Sequence, residues 1–373
     1  MPRLPSGRRG PWPGRSRPAV APDLAPHGIP RRRPSARAQR IVRGVPVRPV
    51  GPQQLAPPRL AAWGLALLAL AGCGQASPAD RLPRQVAAAD LRPAALGSGE
   101  RLSVVATTSI VADVVAAVGG PWVDVTALIP PSVDPHAFEP TPRDVQRLSQ
   151  AHVVFVNGLG LELFLADLIG EAGGSAGVVA VSDGVTSRRL SEEGDSGGFD
   201  PHTWLDPRNV AQWTANIETA LAALDPAHAE AFAANAASTR AELAALDGEI
   251  RRLVETVPPE RRRLLTDHEE LGYFAEAYGF TIVGSILPGP SSLAEPSAAD
   301  LAALLDRVRA EQVPAIFVTS VVDPAIVRRL AEDAGIQVVT LYVHSLSDPD
   351  GPAPDYPSLM RYNAAAIVDA LAP

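Results

Sequence analysis

The sequence predicts an α/β protein with two similar lobes, each built on a parallel sheet, and one long helix that joins them. Short apolar strands alternate with helices over residues 102–181, and the same alternation returns over residues 264–371. Between these stretches, residues 208–257 have an almost wholly helical pattern. Alternating strands and helices are typical of parallel sheets, and a chain of 373 residues is long enough for two globular cores.

The first lobe is predicted at residues 101–225. Its apolar runs have the length of buried strands, and Gly119 and Gly120 end its first helix. We expect strands at 104–108, 123–129, 152–156 and 177–181, and helices at 110–118, from 141, at 161–169 and from 208.

The linking helix is predicted at residues 226–257. Asp225 and Pro226 interrupt the helical pattern, and the run that follows has no further break. A helix of roughly 30 residues would be about 45 Å long at ~1.5 Å per residue. Such a length between two α/β stretches indicates a backbone helix between two lobes.

The second lobe is predicted at residues 258–373, with the same plan as the first but no clear sequence repeat. We expect strands at 264–266, 281–286, 315–319 and 337–342, and helices at 271–278, 297–311, 324–334 and 356–371.

Residues 1–72 are predicted to be a disordered leader followed by a signal peptide. The part before the apolar run is rich in Arg, Pro and Gly and cannot form a core, and we expect translation to begin nearer Leu60. The apolar run at 60–71 is too short to span a membrane but has the length of a signal-peptide core. It ends in Leu-Ala-Gly-Cys, which matches the bacterial lipoprotein box and predicts that Cys73 is lipidated. A buried apolar helix is the alternative. Residues 73–100 would then be a tether, with folded structure from Leu102 and the chain anchored outside the cytoplasmic membrane.

Charge and cysteine content exclude several classes of protein. All 33 basic residues are arginine, against 41 acids, and thirteen of the arginines but only one acid, Asp23, precede Cys73. The body is therefore strongly acidic, which argues against a nucleic-acid binder. A single cysteine allows no internal disulfide and no Cys-based zinc site.

Four histidines fall just after predicted strands or at loop mouths, where open α/β sheets bind ligands. They are His136, His202, His268 and His344. Asp-Pro-His occurs at two of them, and their spacings are far too long for a zinc finger. Two precede the linking helix and two follow it, so we expect a metal site in the cleft between the lobes. The remaining histidines, at 27, 152 and 228, lack this context.

Four imidazoles favour zinc over manganese, which prefers carboxylate oxygens. Four nitrogens at ~2.0–2.1 Å would complete a tetrahedral zinc shell and leave no position for a catalytic water. This donor set predicts capture of a metal ion, with no enzymatic activity. A zinc hydrolase with three histidine ligands is the alternative, but the sequence has no His-Glu-x-x-His pair and no clear general base beyond Glu269.

Several motifs in order resemble the TroA-like zinc/manganese solute-binding proteins of bacterial ABC importers, over about residues 102–372. These motifs are Asp-Pro-His at 134–136 with Glu-Pro-Thr-Pro at 139–142, Asn-Gly-Leu-Gly-Leu-Glu at 157–162, Asp-Pro-His-Thr-Trp-Leu-Asp-Pro at 200–207, and His268 before Gly-Tyr-Phe at 272–274. The resemblance implies two lobes joined by a rigid helix, two ligands from each lobe, and delivery of Zn²⁺, or alternatively Mn²⁺, to a permease in the cytoplasmic membrane. It identifies His136, His202 and His268 as ligands. We expect a monomer; a surface metal-binding adhesin is a further alternative.

The fourth ligand position departs from the family, because His344 stands where similar members usually have an aspartate. The change removes an oxygen ligand and favours zinc. Glu269 or Asp348 could supply an oxygen in its place. Three further acids could orient the ligand imidazoles through hydrogen bonds, namely Asp134, Glu139 and Asp206. For Asp134 and Asp206, turn chemistry before proline is an equal alternative.

Overall fold

A computed structural model of the chain describes residues 85–372, apart from 132, 163–167, 169–175, 191–197, 288–295 and 320–323. The predicted leader, the predicted lipidation site Cys73 and most of the helix predicted at 161–169 lie outside the described residues. The described part of the chain contains two four-stranded sheets whose paired strands are all parallel. None of its helices has both the length and the apolar composition needed to cross a membrane.

The first sheet has the strand order β2-β1-β3-β4. Its strands are β1 (Leu102–Ala106), β2 (Val123–Ala127), β3 (Val153–Val156) and β4 (Gly177–Ala180). In the described residues, β1 is followed by α1 (Ser109–Gly119) and β2 by α2 (Pro142–Gln150). The side chain of Thr108 caps α1, and Thr141 with Asp144 forms a capping box on α2. These local signals explain why the predicted elements lie close to the observed ones.

The helical passage consists of α3 (Pro207–Leu224) and α4 (Ala229–Val254), with a short 3₁₀ turn between them. Asp206 caps α3 by accepting a hydrogen bond from the backbone N–H of Arg208. The 26 residues of α4 correspond to about 39 Å at ~1.5 Å per residue. The helix is shorter than the prediction at both ends, because a 3₁₀ turn occupies Pro226–His228 and the helix ends at Val254.

The second sheet has the strand order β6-β5-β7-β8, which repeats the arrangement of the first. Its strands are β5 (Arg263–Thr266), β6 (Thr281–Ser285), β7 (Ala315–Val318) and β8 (Gln337–Thr340). Its helices are α5 (Gly272–Tyr278), α6 (Ala298–Glu311), α7 (Pro324–Ala334) and α8 (Tyr356–Leu371). The predicted fold class, an α/β protein with two similar parallel sheets, is confirmed.

The long helix α4 is bonded to elements of both halves. Near its start, Asn235 donates a side-chain hydrogen bond to the carbonyl of Val118 in α1, at 3.0 Å. Near its end, Glu249 pairs with Arg361 of α8 at 3.0 Å. The buried side chains of α4 belong to a hydrophobic core cluster that contains residues of both sheets. The described residues of both sheets belong to one compact unit.

The prediction that folded structure begins at Leu102 is wrong. Gln85 forms a parallel bridge with Val178 of β4, and the backbone N–H of Val86 donates to the carbonyl of the same residue at 2.9 Å. Leu91 and Leu96 pack against the core further along the segment. Spaced apolar side chains among Ala and Pro therefore bind this segment to the lobe, although they show no regular period.

Candidate metal centre

Four histidine side chains from four separate loops converge on one point in the described part of the chain. Each offers a ring nitrogen, and these four nitrogens lie within 4.8 Å of one another. Three of the rings are buried, and His136 is partly buried. These histidines are distant in the sequence but close in the fold, because each loop follows the carboxyl end of a strand. Parallel sheets present ligand-binding side chains at this position.

The rings surround their common point almost evenly. The six distances between pairs of ring centroids range only from 5.0 to 5.9 Å. Six nearly equal separations among four points define a tetrahedron, and tetrahedral coordination is the geometry of closed zinc sites. The arrangement can therefore hold one metal ion at its centre.

Two aspartates orient the buried rings. Asp200 Oδ1 lies 2.9 Å from His202 Nδ1, and Asp267 Oδ1 lies 2.8 Å from His268 Nδ1. Each carboxylate accepts the Nδ1–H of its histidine, which leaves the Nε2 lone pair free to coordinate a metal. Asp267 is itself held by Thr319, whose backbone N–H and hydroxyl both donate to Asp267 Oδ2 at 2.7 Å.

Three other acids, Asp134, Glu139 and Asp206, were suggested from the sequence as groups that could orient the rings. The structure shows them in the following positions. Asp134 Oδ1 accepts from the backbone N–H of His136 at 2.9 Å, in a turn before proline. Asp206 caps α3 and forms an ion pair with Arg208, and Glu139 is exposed. Asp200 and Asp267 could have been considered from the sequence, because one begins the second Asp-Pro-His and the other directly precedes His268.

An acidic side chain that was not predicted from the sequence, Glu270, also lies at the centre. Glu270 is fully buried, and its Oε2 lies 3.4 Å from His268 Nε2 and 3.2 Å from His344 Nε2. Among the described residues, neither of its carboxylate oxygens has a hydrogen-bond partner. Of the two oxygen donors suggested from the sequence, Glu269 is half-buried beside a cleft and Asp348 is exposed. The sequence feature that could have indicated Glu270 is the pair of glutamates that directly follows His268.

A cleft of about 610 Å³ adjoins the centre. Asp200, Glu269 and Glu270 line it together with Arg188. The Arg188 guanidinium pairs with Asp200 Oδ2 at 3.0 Å and with Glu276 at 3.1 Å. Asp200 is therefore held from one side by an arginine and bonds a histidine on the other, which fixes the carboxylate that orients His202.

The environment of the centre lowers the pKa of three of its imidazoles and so favours their neutral form. Burial, together with the neighbouring His202 and His268, lowers the pKa of His136 to about 3. Burial also lowers the pKa of His202, and that of His344 well below its usual value. For Glu270, burial and the nearby Asp267 raise the carboxyl pKa well above its ordinary value. Neutral ring nitrogens are the form that binds metal ions.

Comparisons with known proteins agree with this reading of the fold. A family model described as "Zinc-uptake complex component A periplasmic" (ZnuA) matches residues 104–370. The chain is 34% identical over 274 residues to the manganese-binding lipoprotein MntA of Halalkalibacterium halodurans, covering 73% of this chain and 89% of that protein. It is 30% identical over 282 residues to the manganese ABC transporter substrate-binding lipoprotein PsaA of Streptococcus pneumoniae serotype 4, covering 74% and 91%.

Among solved structures, the periplasmic zinc-binding protein TroA from Treponema pallidum matches with a TM-score of 0.68 and 32% identity. The match covers 74% of this chain and 100% of that chain. A manganese-bound periplasmic metal-binding protein from Candidatus Liberibacter asiaticus matches with a TM-score of 0.66 and 29% identity, over 73% of this chain and 100% of that chain. The names of these similar proteins thus include both zinc and manganese.

Proposed function

The chain belongs to the ZnuA family of periplasmic zinc-uptake components, and on that premise we propose that its four-histidine centre captures Zn²⁺ for delivery to an ABC importer. At the level of the family, it is an extracytoplasmic, membrane-anchored metal-binding component of an ABC transporter and not an enzyme. Its partner is a permease complex in the membrane. Zinc as the cargo, Cys73 as the lipidated residue and the four histidines as ligands belong to the proposal.

One observation supports the choice of zinc: four of the five side chains at the centre offer imidazole nitrogen, and Glu270 is the fifth. Manganese prefers oxygen ligands, whereas imidazole suits zinc. His344 contributes to this preference, because a carboxylate at its position would give the centre an oxygen donor of the kind manganese prefers. A site closed by protein ligands also suits a carrier, since it leaves no open position for catalytic water.

The proposal includes the predicted division of the chain into two lobes and a linking helix. The lobes are residues 101–225 and 258–373, and the helix is residues 226–257. His136 and His202 come from the first lobe, and His268 and His344 from the second. Bonds between the halves support a cleft that is held together around the ion. Trp204 Nε1 donates to the carbonyl of Val343 at 2.8 Å, and Tyr356 donates its hydroxyl hydrogen to the carbonyl of Trp204 at 2.7 Å.

Manganese is the second candidate cargo. It is favoured by Glu270, whose carboxylate oxygen lies within 3.4 Å of two ligand nitrogens, and by the manganese-binding names of MntA and PsaA. The two cargoes make different demands on the same centre, since oxygen donors are needed for manganese and nitrogen donors suffice for zinc.

Metal competition on the purified protein that begins at Cys73 tests the proposal. We expect one zinc ion per chain after dialysis against equal concentrations of Zn²⁺ and Mn²⁺, measured by elemental analysis. Retention of manganese under these conditions would reverse the assignment of cargo. Deletion of the gene should lower zinc accumulation by the cells, and unchanged zinc uptake would remove the proposed transport role.

A further inference from the structure

We propose that Glu270 is a fifth metal ligand, which completes the centre with an anionic oxygen and thereby sets its preference for divalent cations. This inference rests on the proposed function, because it concerns how the same centre holds its cargo. The resemblance to the TroA-like family places no ligand at this position, and the four imidazoles alone would give a neutral, all-nitrogen shell.

The first support is the spacing of three donor atoms. Two donors bound to one ion at bond lengths of ~2.0–2.2 Å lie about 2.8–3.6 Å apart when the bond angle is between about 90° and 110°. His268 Nε2 and His344 Nε2 are separated by 3.2 Å, and Glu270 Oε2 lies 3.2 Å from the second and 3.4 Å from the first. The three atoms therefore form a triangle with the dimensions of one face of a coordination shell.

The second support is the state of the carboxylate. Glu270 is fully buried, and both of its oxygens lack a hydrogen-bond partner in the part of the chain that the structure describes. The other two buried acids of the centre, Asp200 and Asp267, have both oxygens bonded to protein groups. A buried carboxylate without a hydrogen-bond partner is unfavourable unless a proton or a cation neutralises its charge. A metal ion held at the triangle supplies that compensation.

The third support is the charge of the loaded site. A divalent ion among four neutral imidazoles leaves two positive charges in a buried volume, and a carboxylate ligand halves that charge. Desolvated charges interact strongly over such short distances. Glu270 therefore favours divalent ions over monovalent ones, and its oxygen lets the centre tolerate manganese beside zinc.

The test compares Glu270→Gln with Glu269→Gln, a neighbouring change of the same charge at a half-buried position. Zinc affinity is measured by competition with a chromophoric chelator, and Co²⁺ is used as a spectroscopic probe of ligand number. We expect Glu270→Gln to weaken zinc binding by about 10- to 100-fold. Losses of this size are typical when a residue that orients the ligands of a metal site is replaced. Its Co²⁺ spectrum should change from weak five-coordinate bands to stronger tetrahedral bands, and Glu269→Gln should match the wild type.

Equal zinc affinity and equal Co²⁺ spectra for the wild type and Glu270→Gln would overturn the inference and leave the proposed function standing. A wild-type protein that binds no zinc would instead overturn the proposed function. The Co²⁺ spectrum of the wild type decides the matter even where the variant does not fold, because tetrahedral bands there contradict a fifth ligand. Circular dichroism of the metal-free proteins checks that both variants fold.

Discussion

The Nε2 atoms of His268 and His344 lie 3.2 Å apart, although 76 positions separate the two residues in the chain. His268 donates its Nδ1–H to Asp267, so its Nε2 carries a lone pair that faces the second ring. Two buried nitrogens at this distance need a proton or a cation between them. A metal ion that both nitrogens coordinate would stabilise this pair and the two halves of the protein that carry it.

Zinc should stabilise the protein against heat. Because the unfolded chain does not assemble the four rings, binding to the folded state raises the free energy of unfolding by about 4 kcal/mol when free zinc is ~1,000 times its dissociation constant. Differential scanning calorimetry of the metal-free and zinc-loaded protein measures the shift. Mg²⁺, which prefers oxygen ligands, is the matched control and should cause none. Equal melting temperatures with and without zinc would contradict the four-histidine site.

Replacement of His344 by Asp should shift the preference of the centre toward manganese. The change exchanges a ring nitrogen for a carboxylate oxygen, and the ratio of zinc to manganese affinity should fall by at least about tenfold. Competition titrations with both ions give the ratio. Asp348→Asn, at an exposed position four residues further on, is the control. An unchanged ratio in His344→Asp would show that His344 does not bind the ion.

Asp267→Asn should weaken zinc binding without removing a ligand. The amide cannot accept the Nδ1–H of His268 with the strength of a carboxylate, so the ring loses its fixed orientation, and affinity should fall by about 10- to 100-fold.

Asp206→Ala separates this effect from a loss of stability. It removes the cap of α3, which should cost about 1 kcal/mol of stability and leave zinc affinity unchanged. Calorimetric titration with zinc and chemical unfolding measure the two quantities on each variant. Loss of affinity in Asp206→Ala, or its retention in Asp267→Asn, would contradict the assigned roles.

Acid should destabilise the metal-free protein through His136. Its pKa is lowered from 6.5 to about 3 in the folded state, so between these values the unfolded chain binds more protons, and stability falls as pH falls. For His136 alone, the loss between pH 7 and pH 5 is about 2 kcal/mol at ~1.4 kcal/mol per pH unit.

The contribution of His136 is isolated by comparison with His136→Ala, because burial raises the pKa of Glu162 to about 7 and acts in the opposite direction. Urea unfolding of both proteins at pH 7 and pH 5 gives the difference. The wild type should lose about 2 kcal/mol more than the variant over this interval. Parallel losses in the two proteins would show that His136 is not shielded as the structure indicates.

The strands, most helix bounds and the repeated α/β plan were predictable from the sequence because local features determine them. Buried parallel strands appear as short apolar runs, and helix ends carry capping residues such as Ser297 and Asp355. The four histidines were recognisable for a related reason, since each follows a strand whose carboxyl end faces the ligand side of a sheet. The segment from Gln85 to Leu96 was not predictable in this way, because its apolar residues have no period.

The tertiary structure alone decided which acids face the centre. Glu269 and Glu270 are neighbours with the same chemistry, yet the turn between β5 and α5 buries the second beside two ring nitrogens and leaves the first half-buried. Likewise, Asp134 and Asp200 begin identical Asp-Pro-His motifs, and each accepts a hydrogen bond from the backbone N–H of its histidine. The fold around Asp200 also brings its Oδ1 to 2.9 Å from the ring Nδ1 of His202. Residue type and strand pattern are local properties of the sequence, whereas the direction of a side chain depends on backbone turns and on the distant residues packed against it.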